Sequence, residues 1–141
     1  MSSPFIEIKN LYKSFKNSKG ETIQVLEDVN LDIAKGEMFG IMGFSGAGKS
    51  TLVRCINRLE EPDTGDVIID GMNITKLGTA ELNKRREKIG MIFQTFNLFD
   101  SMTVFENIEF PLKATIKDKE KRKQRVLELA DVVGLSEKVY D

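Results

Sequence analysis

The sequence predicts an α/β fold, and three observations carry the prediction. Two short, unbroken apolar runs, Met38–Met42 and Ile89–Phe93, have the length and flanking glycines of strands buried on both faces, as in a parallel sheet. A glycine-rich segment, Gly43-Phe44-Ser45-Gly46-Ala47-Gly48-Lys49-Ser50, joins the first run to a stretch whose apolar residues recur at helical spacing. Before both, alternating apolar and polar residues predict antiparallel strands with one wet face.

The elements follow in order. Phe5-Ile6-Glu7-Ile8-Lys9 has the period of a half-buried strand. Lys16–Gly20 is a polar loop, and Thr22–Ile33 places Ile23, Val25, Val29, Leu31 and Ile33 largely on one parity, the second arm of a long strand pair. Lys35-Gly36-Glu37 is a turn. From Lys49 to about Glu60 the residues Leu52, Cys55, Ile56 and Leu59 form a helical stripe, ended by Glu61-Pro62-Asp63-Thr64-Gly65. Val67-Ile68-Ile69 predicts a strand and Asp70-Gly71 a tight turn. Thr79–Glu87 is expected as a surface helix with a basic end. A further helix near Val104–Ile108 is expected to stop around Pro111. The last helix, about Asp118–Val133, carries Val126, Leu129, Ala130 and Val133 as its apolar stripe and stops at Gly134.

Composition removes several classes of function. With 141 residues there is room for one ordinary domain. The 21 Lys and Arg against 22 Asp and Glu give a net charge of −1, which supplies no drive towards nucleic acid or anionic lipid. No His is present, so imidazole is not available as base, shuttle or ligand. Cys55 stands alone, which excludes an internal disulfide and favours a reducing compartment; it is expected to pack as a small hydrophobe. No apolar run reaches eighteen residues, and Met1–Phe5 lacks the basic flank and apolar stretch of a secretory signal. The Lys117–Arg125 run is interrupted by acids and reads as a solvated helix face.

The segment from Gly43 to Ser50 fits the phosphate-loop pattern G-x-x-x-x-G-K-[ST] in full. Its glycines let the backbone turn successive amides towards phosphate oxygens, and the following helix adds about half a positive charge at its start. Lys49 supplies a full charge to the β- and γ-phosphates. The Ser50 hydroxyl can ligate Mg²⁺, and the Thr51 hydroxyl can reach the α-phosphate. Gln94 follows the second buried run, at the carboxyl end where ligand-facing residues sit in open α/β sheets. It could position water, complete a Mg²⁺ shell, or simply begin a surface loop.

Together these residues resemble the ATP-binding subunit of ABC transporters, over the whole chain. Ile6-Glu7-Ile8-Lys9-Asn10-Leu11 and Lys13-Ser14-Phe15 look like the family's opening strand, and Ile92-Phe93-Gln94 matches its Q-loop. The resemblance implies a P-loop NTPase (RecA-like) core sheet with an antiparallel β subdomain, truncated before the helical signature subdomain is complete. Residues 1–36 and 66–75 would form the β part, 37–65 and 89–94 the phosphate-loop core, and 103–141 the start of the helical part. It further implies that Phe15 stacks on adenine, with Tyr12 as an alternative, and that Val25 lies near the ribose. Gly43, Phe44, Ser45, Gly46, Ala47, Gly48, Lys49, Ser50 and Thr51 would hold the phosphates of ATP, and Ser50 with Gln94 the Mg²⁺. Lys49 and Gln94 inherit the family's catalytic roles. Phe44 departs from the family, where Pro or a small residue is common; the loop binds through its backbone, so an outward side chain should be tolerated.

Within the family, the run Arg54-Cys55-Ile56-Asn57 with Leu59-Glu60, and Phe96-Asn97-Leu98, look most like importers of methionine and related amino acids. The implied partners are a membrane permease subunit, touched near Gln94–Phe99, a second ATPase copy, and indirectly a substrate-binding protein, with this chain peripheral at the cytoplasmic side of the membrane. The family's signature Leu-Ser-Gly-Gly-Gln, its strand ending in Asp-Glu and its switch His are not found in the sequence; Leu135-Ser136 is only a faint echo. The chain is therefore expected to be the N-terminal part of a longer protein, to bind nucleotide without turnover, and to oligomerise or swap strands. A GTP-binding switch is disfavoured, because Asn83-Lys84-Arg85-Arg86 lacks the Asp of a guanine reader.

Overall fold

A computed structural model describes residues 3–141; the part of the leader reading that rests on Met1 and Ser2 lies outside the described residues. The chain divides into two compact units, one ending at Ile89 and one spanning Gly90–Asp141. The first holds strands β1 (Ile6–Lys16), β2 (Thr22–Ile33), β3 (Thr64–Ile69) and β4 (Met72–Asn73), with helices α1 (Lys49–Ile56) and α2 (Thr79–Arg86). The second holds helices α3 (Val104–Thr115) and α4 (Lys119–Val132).

The expected strand pair forms. The sheet order is β2-β1-β3-β4, antiparallel throughout, with Ile8 opposite Leu31 on one side and Val67 on the other. Strict alternation would send Ile8 and Leu11 to opposite faces, yet both are buried. A bulge at Lys9–Asn10 resets the parity, with Asn10 at φ 48° and the pairing shifted between Ile8 and Leu11. The Asn10 amide donates to Asn30 Oδ1 at 2.9 Å, and its side chain donates to Asp28 Oδ1 at 2.8 Å. Opposite the bulge, Gly65 has φ +103°; a Cβ there would stand 2.3 Å from the Asn10 carbonyl oxygen, so only glycine lets β3 pass this close. Asp70-Gly71 closes the β3–β4 hairpin as a two-residue turn with φ 50° and 78°, the sense that suits strand twist.

The core gathers Ile8, Leu11, Leu26 and Val67 from the sheet, Leu52 and Cys55 from α1, and Ile74. Leu52 and Cys55 lie three apart on one helix face, as the stripe requires. Cys55 is fully buried, and burial pushes its thiol up to about 11, which leaves it unreactive.

Four expectations need correction. Met38–Met42 and Ile89–Phe93 carry no strand; Met38 is 100 %, Met42 95 % and Ile92 100 % exposed. A parallel strand takes its bonds from adjacent strands, and among the described residues neither run has one. Helix α1 ends at Ile56 rather than near Glu60, because Arg58 takes the left-handed conformation at φ 56°. Pro111 lies inside α3 rather than ending it. The helix start is set by a capping box between Thr103 and Glu106, the Pro111 ring is exposed, and at the C-cap the Ile116 amide donates to the Leu112 carbonyl at 2.8 Å. Val133 of the expected stripe is 64 % exposed and follows the helix, while Val126 and Ala130 are buried.

In the second unit, Val104 and Phe105 donate their amides to the carbonyls of Asp141 and Val139, which satisfies part of the first turn of α3. Arg122 on α4 binds Glu109 on α3 at 2.8 Å and the Ile116 carbonyl at 3.0 Å, and the guanidinium holds Glu109 below the usual carboxylate range. No helix among the described residues is long and apolar enough to cross a membrane.

Candidate functional site

The phosphate-loop residues form a turn that feeds directly into α1. The Ala47 amide donates to the Phe44 carbonyl at 3.0 Å, and the Leu52 amide reaches back to the Gly48 carbonyl at 2.9 Å. Gly48 is the residue on which the geometry turns. Its φ is +92°, and a Cβ there would stand 3.0 Å from Val25 Cγ1, 3.1 Å from Leu26 Cδ2 and 3.1 Å from the Val25 carbonyl oxygen. The loop therefore lies directly against β2, and Val25 forms part of its floor.

Helix α1 opens with Gly48 at its cap position and no side-chain cap. Its first-turn amides, beginning with Lys49 and Ser50, have no intrahelical acceptor by construction. Among the described residues no other backbone group takes them either. The arrangement leaves N–H donors without backbone acceptors at the positive end of a helix, the kind of donor set that a polyphosphate tail requires. The Lys49 ammonium completes it. Nζ donates to the Gly43 carbonyl and, at 2.9 Å, to the Phe44 carbonyl, so the side chain folds back across the loop. Ser50 is exposed beside it, Thr51 half-buried, and Phe44 points outward with 92 % exposure.

In the same unit, Phe15 sits near the end of β1 with 37 % exposure, paired with Ile23 of β2. Lys13 Nζ lies over its ring, 5.0 Å from the centroid. Lys13 also donates to the Glu61 carbonyl at 2.7 Å and lies 3.7 Å from Asp63 and 3.9 Å from Glu60. Asp63 accepts from the Ser14 amide at 2.7 Å and hydroxyl at 2.6 Å, and these bonds, the hydroxyl first, hold its carboxyl below the ordinary value of 3.8. Tyr12, three residues from Phe15, falls on the opposite strand face by alternation.

The far end of α1 is tied down by two arginines. Arg86 on α2 donates to the carbonyls of Asn57 at 2.9 Å and Arg58 at 2.7 Å. Arg58 in turn donates to the Ile74 and Leu77 carbonyls at 2.9 and 2.8 Å and pairs with Glu61 at 3.0 Å. Sequence reading missed Lys13, Arg58 and Arg86. For Lys13 a signal existed: two residues before Phe15 on one strand is the same face. For Arg86 none did, since its targets lie 28 and 29 residues away. Asn83 and Arg86 bond to each other within α2 at 3.3 Å, so that segment is helix surface and not a base-reading loop.

Gln94 belongs to the second unit, exposed in an open groove lined by residues 91–97. Past it the chain is pinned by Asn107, whose side chain accepts from the Phe99 amide at 2.9 Å and donates to the carbonyls of Phe99, Met102 and Thr103. The Phe99 and Phe110 rings pack 4.9 Å apart between centroids. Phe96 and Leu98 remain 95 % and 63 % exposed.

Comparison with known proteins places the chain in a family. Residues 26–141 match the family model described as ABC transporter. The chain is 53 % identical over 135 residues to a methionine import ATP-binding protein of Desulfitobacterium hafniense, covering 96 % of this chain and 39 % of that protein. It is 51 % identical over 133 residues to one of Aliivibrio fischeri, covering 94 % and 38 %. The chain thus spans about two fifths of the length of these relatives. Among solved structures it is similar to the dimeric ATP-binding cassette MJ0796 in a post-hydrolysis state bound to ADP and Pi, with TM-score 0.86 and 40 % identity, over 96 % of this chain and 60 % of that one.

Proposed function

Because this chain belongs to the ABC transporter ATPase family, we propose that it binds Mg-ATP through the loop Gly43–Thr51. The observation that carries the reading is the uncapped start of α1, with its amides turned into a loop that Gly48 alone can shape and Lys49 folded across it. In this reading Phe15 stacks on the base and Val25 stands near the ribose. The loop amides bind phosphate oxygens, and Lys49 exchanges its two carbonyl partners for the β- and γ-phosphates. Ser50 offers the metal a hydroxyl, and Gln94 keeps the metal-sensing role that the family likeness gives it. Magnesium, when bound, neutralises charge on the phosphates.

The longer protein would couple ATP hydrolysis to import of an amino acid such as methionine, through a membrane permease, from the cytoplasmic side. The names of the relatives support the solute, and the exposed Phe96 and Leu98 support a permease contact near Gln94–Phe99. A second copy is the other partner, supported by the dimeric state of the similar cassette and by the exposed apolar side chains of Met38, Phe39, Met42, Ile92 and Phe93. For the 141 residues alone the reading is binding without turnover, since the sequence has no His and carries none of the family's signature or Asp-Glu motifs.

Calorimetric titration with Mg-ATP and Mg-GTP tests the first part. Saturable ATP binding tighter than GTP supports it, and no binding of either at millimolar ligand overturns it. A phosphate-release assay on the same sample tests the second: a rate that Lys49→Ala abolishes would show that these residues do turn ATP over.

A further inference from the structure

We propose that Lys13 is a positioning residue for the nucleotide base, acting through Phe15. The inference rests on the reading above that Phe15 stacks on the base. Lys13 and Phe15 are two apart on β1, so their side chains leave the same face. The ammonium lies over the ring at 5.0 Å, inside the range of about 6 Å in which a cation is attracted to an aromatic face.

That ammonium is not a free surface charge. The Lys13 side chain is 14 % exposed, donates to the Glu61 carbonyl at 2.7 Å and faces two carboxylates. One of them, Asp63, is itself fixed by the Ser14 amide and hydroxyl, while the Asp63 amide donates to the Tyr12 carbonyl at 2.8 Å. The position of Nζ is therefore set by the segment 60–63, independently of the ring. The ring must adapt to the ammonium, not the ammonium to the ring.

Two consequences follow for a stacked base. One face of Phe15 is committed to the ammonium, so a base has only the other face, and the ring cannot turn to offer the first. The cation also draws π-density towards itself, which leaves the opposite face better matched to an electron-rich purine. Lys13 thus fixes both the side and the strength of stacking without touching the nucleotide. A Lys that merely tied β1 to segment 60–63 would affect every ligand of the phosphate loop alike.

The experiment titrates the 141-residue chain with Mg-ATP and with inorganic tripolyphosphate, which has the phosphates and no base. Variants are Lys13→Met, Lys13→Gln, Lys13→Arg and Phe15→Leu, each checked for folding by circular dichroism. Lys13→Met or Lys13→Gln is expected to weaken ATP about 3- to 10-fold while tripolyphosphate changes less than about 2-fold. Lys13→Arg recovers most of the loss, and in the Phe15→Leu background removing the ammonium has no further effect on ATP. Equal weakening of both ligands, or of neither, while Phe15→Leu still weakens ATP selectively, overturns the proposal and leaves the stacking role of Phe15 standing. If Phe15→Leu itself leaves the ratio of the two affinities unchanged, the stacking reading fails and the role of Lys13 with it. Should Lys13→Met and Lys13→Gln both unfold the chain, retention of the wild-type ratio by Phe15→Leu or its loss in Lys13→Arg would equally overturn it.

Discussion

The two ends of helix α1 are built from different material. Its start is backbone: a loop of bare amides, a glycine pressed against β2, and one lysine resting on two carbonyls. Its far end is side chain: Arg86 and Arg58 spread over four carbonyls, Glu61 paired with Arg58, and Asp63 joined to Ser14 and Lys13. One end offers open donors and the other leaves few. The proposed ligand site lies where hydrogen bonds are missing, and the helix is anchored where side chains supply them.

The difference can be broken most severely at Gly48. Gly48→Ala must place a Cβ against Val25 and Leu26 in a left-handed conformation, costing about 2–5 kcal/mol from the conformational and overpacking terms together. Chemical denaturation should show that loss, along with loss of ATP binding. If the variant kept both, the start of the helix would not depend on backbone geometry. Lys49→Ala separates binding from stability. Removing the ammonium should weaken ATP about 10- to 100-fold, the worth of a charge-assisted bond, with the melting temperature nearly unchanged. A large drop in melting temperature would mean that the lysine anchors as well as receives.

The far end should behave in the opposite way. Arg86→Met deprives two part-buried carbonyls of a charged donor and should cost about 1–3 kcal/mol of stability. ATP affinity, measured on the folded fraction, should change little. The smallest effect is acid. Asp63 titrates below its ordinary value of 3.8, so its contribution is complete above that pH and fades as pH falls through its lower, native value. Melting temperatures should be level from pH 8 to pH 5 and decline only below about pH 4. Ser14→Ala, which removes the hydroxyl donor, should shrink that decline; an unchanged acid limb would exclude Asp63 as a source.

How much of this could be read in advance follows the same divide. The phosphate loop was legible because its motif records backbone demands within eight consecutive residues, and the β1–β2 pair because alternation is local. The bulge at Asn10 was not, although it decides which residues enter the core, since its partners Asp28, Asn30 and Gly65 lie far along the chain. Met38–Met42 and Ile89–Phe93 were misread for a related reason: apolar content describes what a strand can bury, and pairing depends on neighbours that composition does not specify. Pro111 misled because a proline forbids one helical hydrogen bond but does not by itself end a helix, and α3 runs on to Thr115 with the ring exposed.

Lys49 already makes, with Gly43 and Phe44, contacts of the kind it would make with a phosphate. On the proposed reading, nucleotide entry would be an exchange of acceptors and not the occupation of a vacuum: two neutral oxygens would be traded for anionic ones. On that reading, what distinguishes a good ligand from a poor one is the margin between those two sets of oxygens, and the resting loop itself would favour highly charged tails.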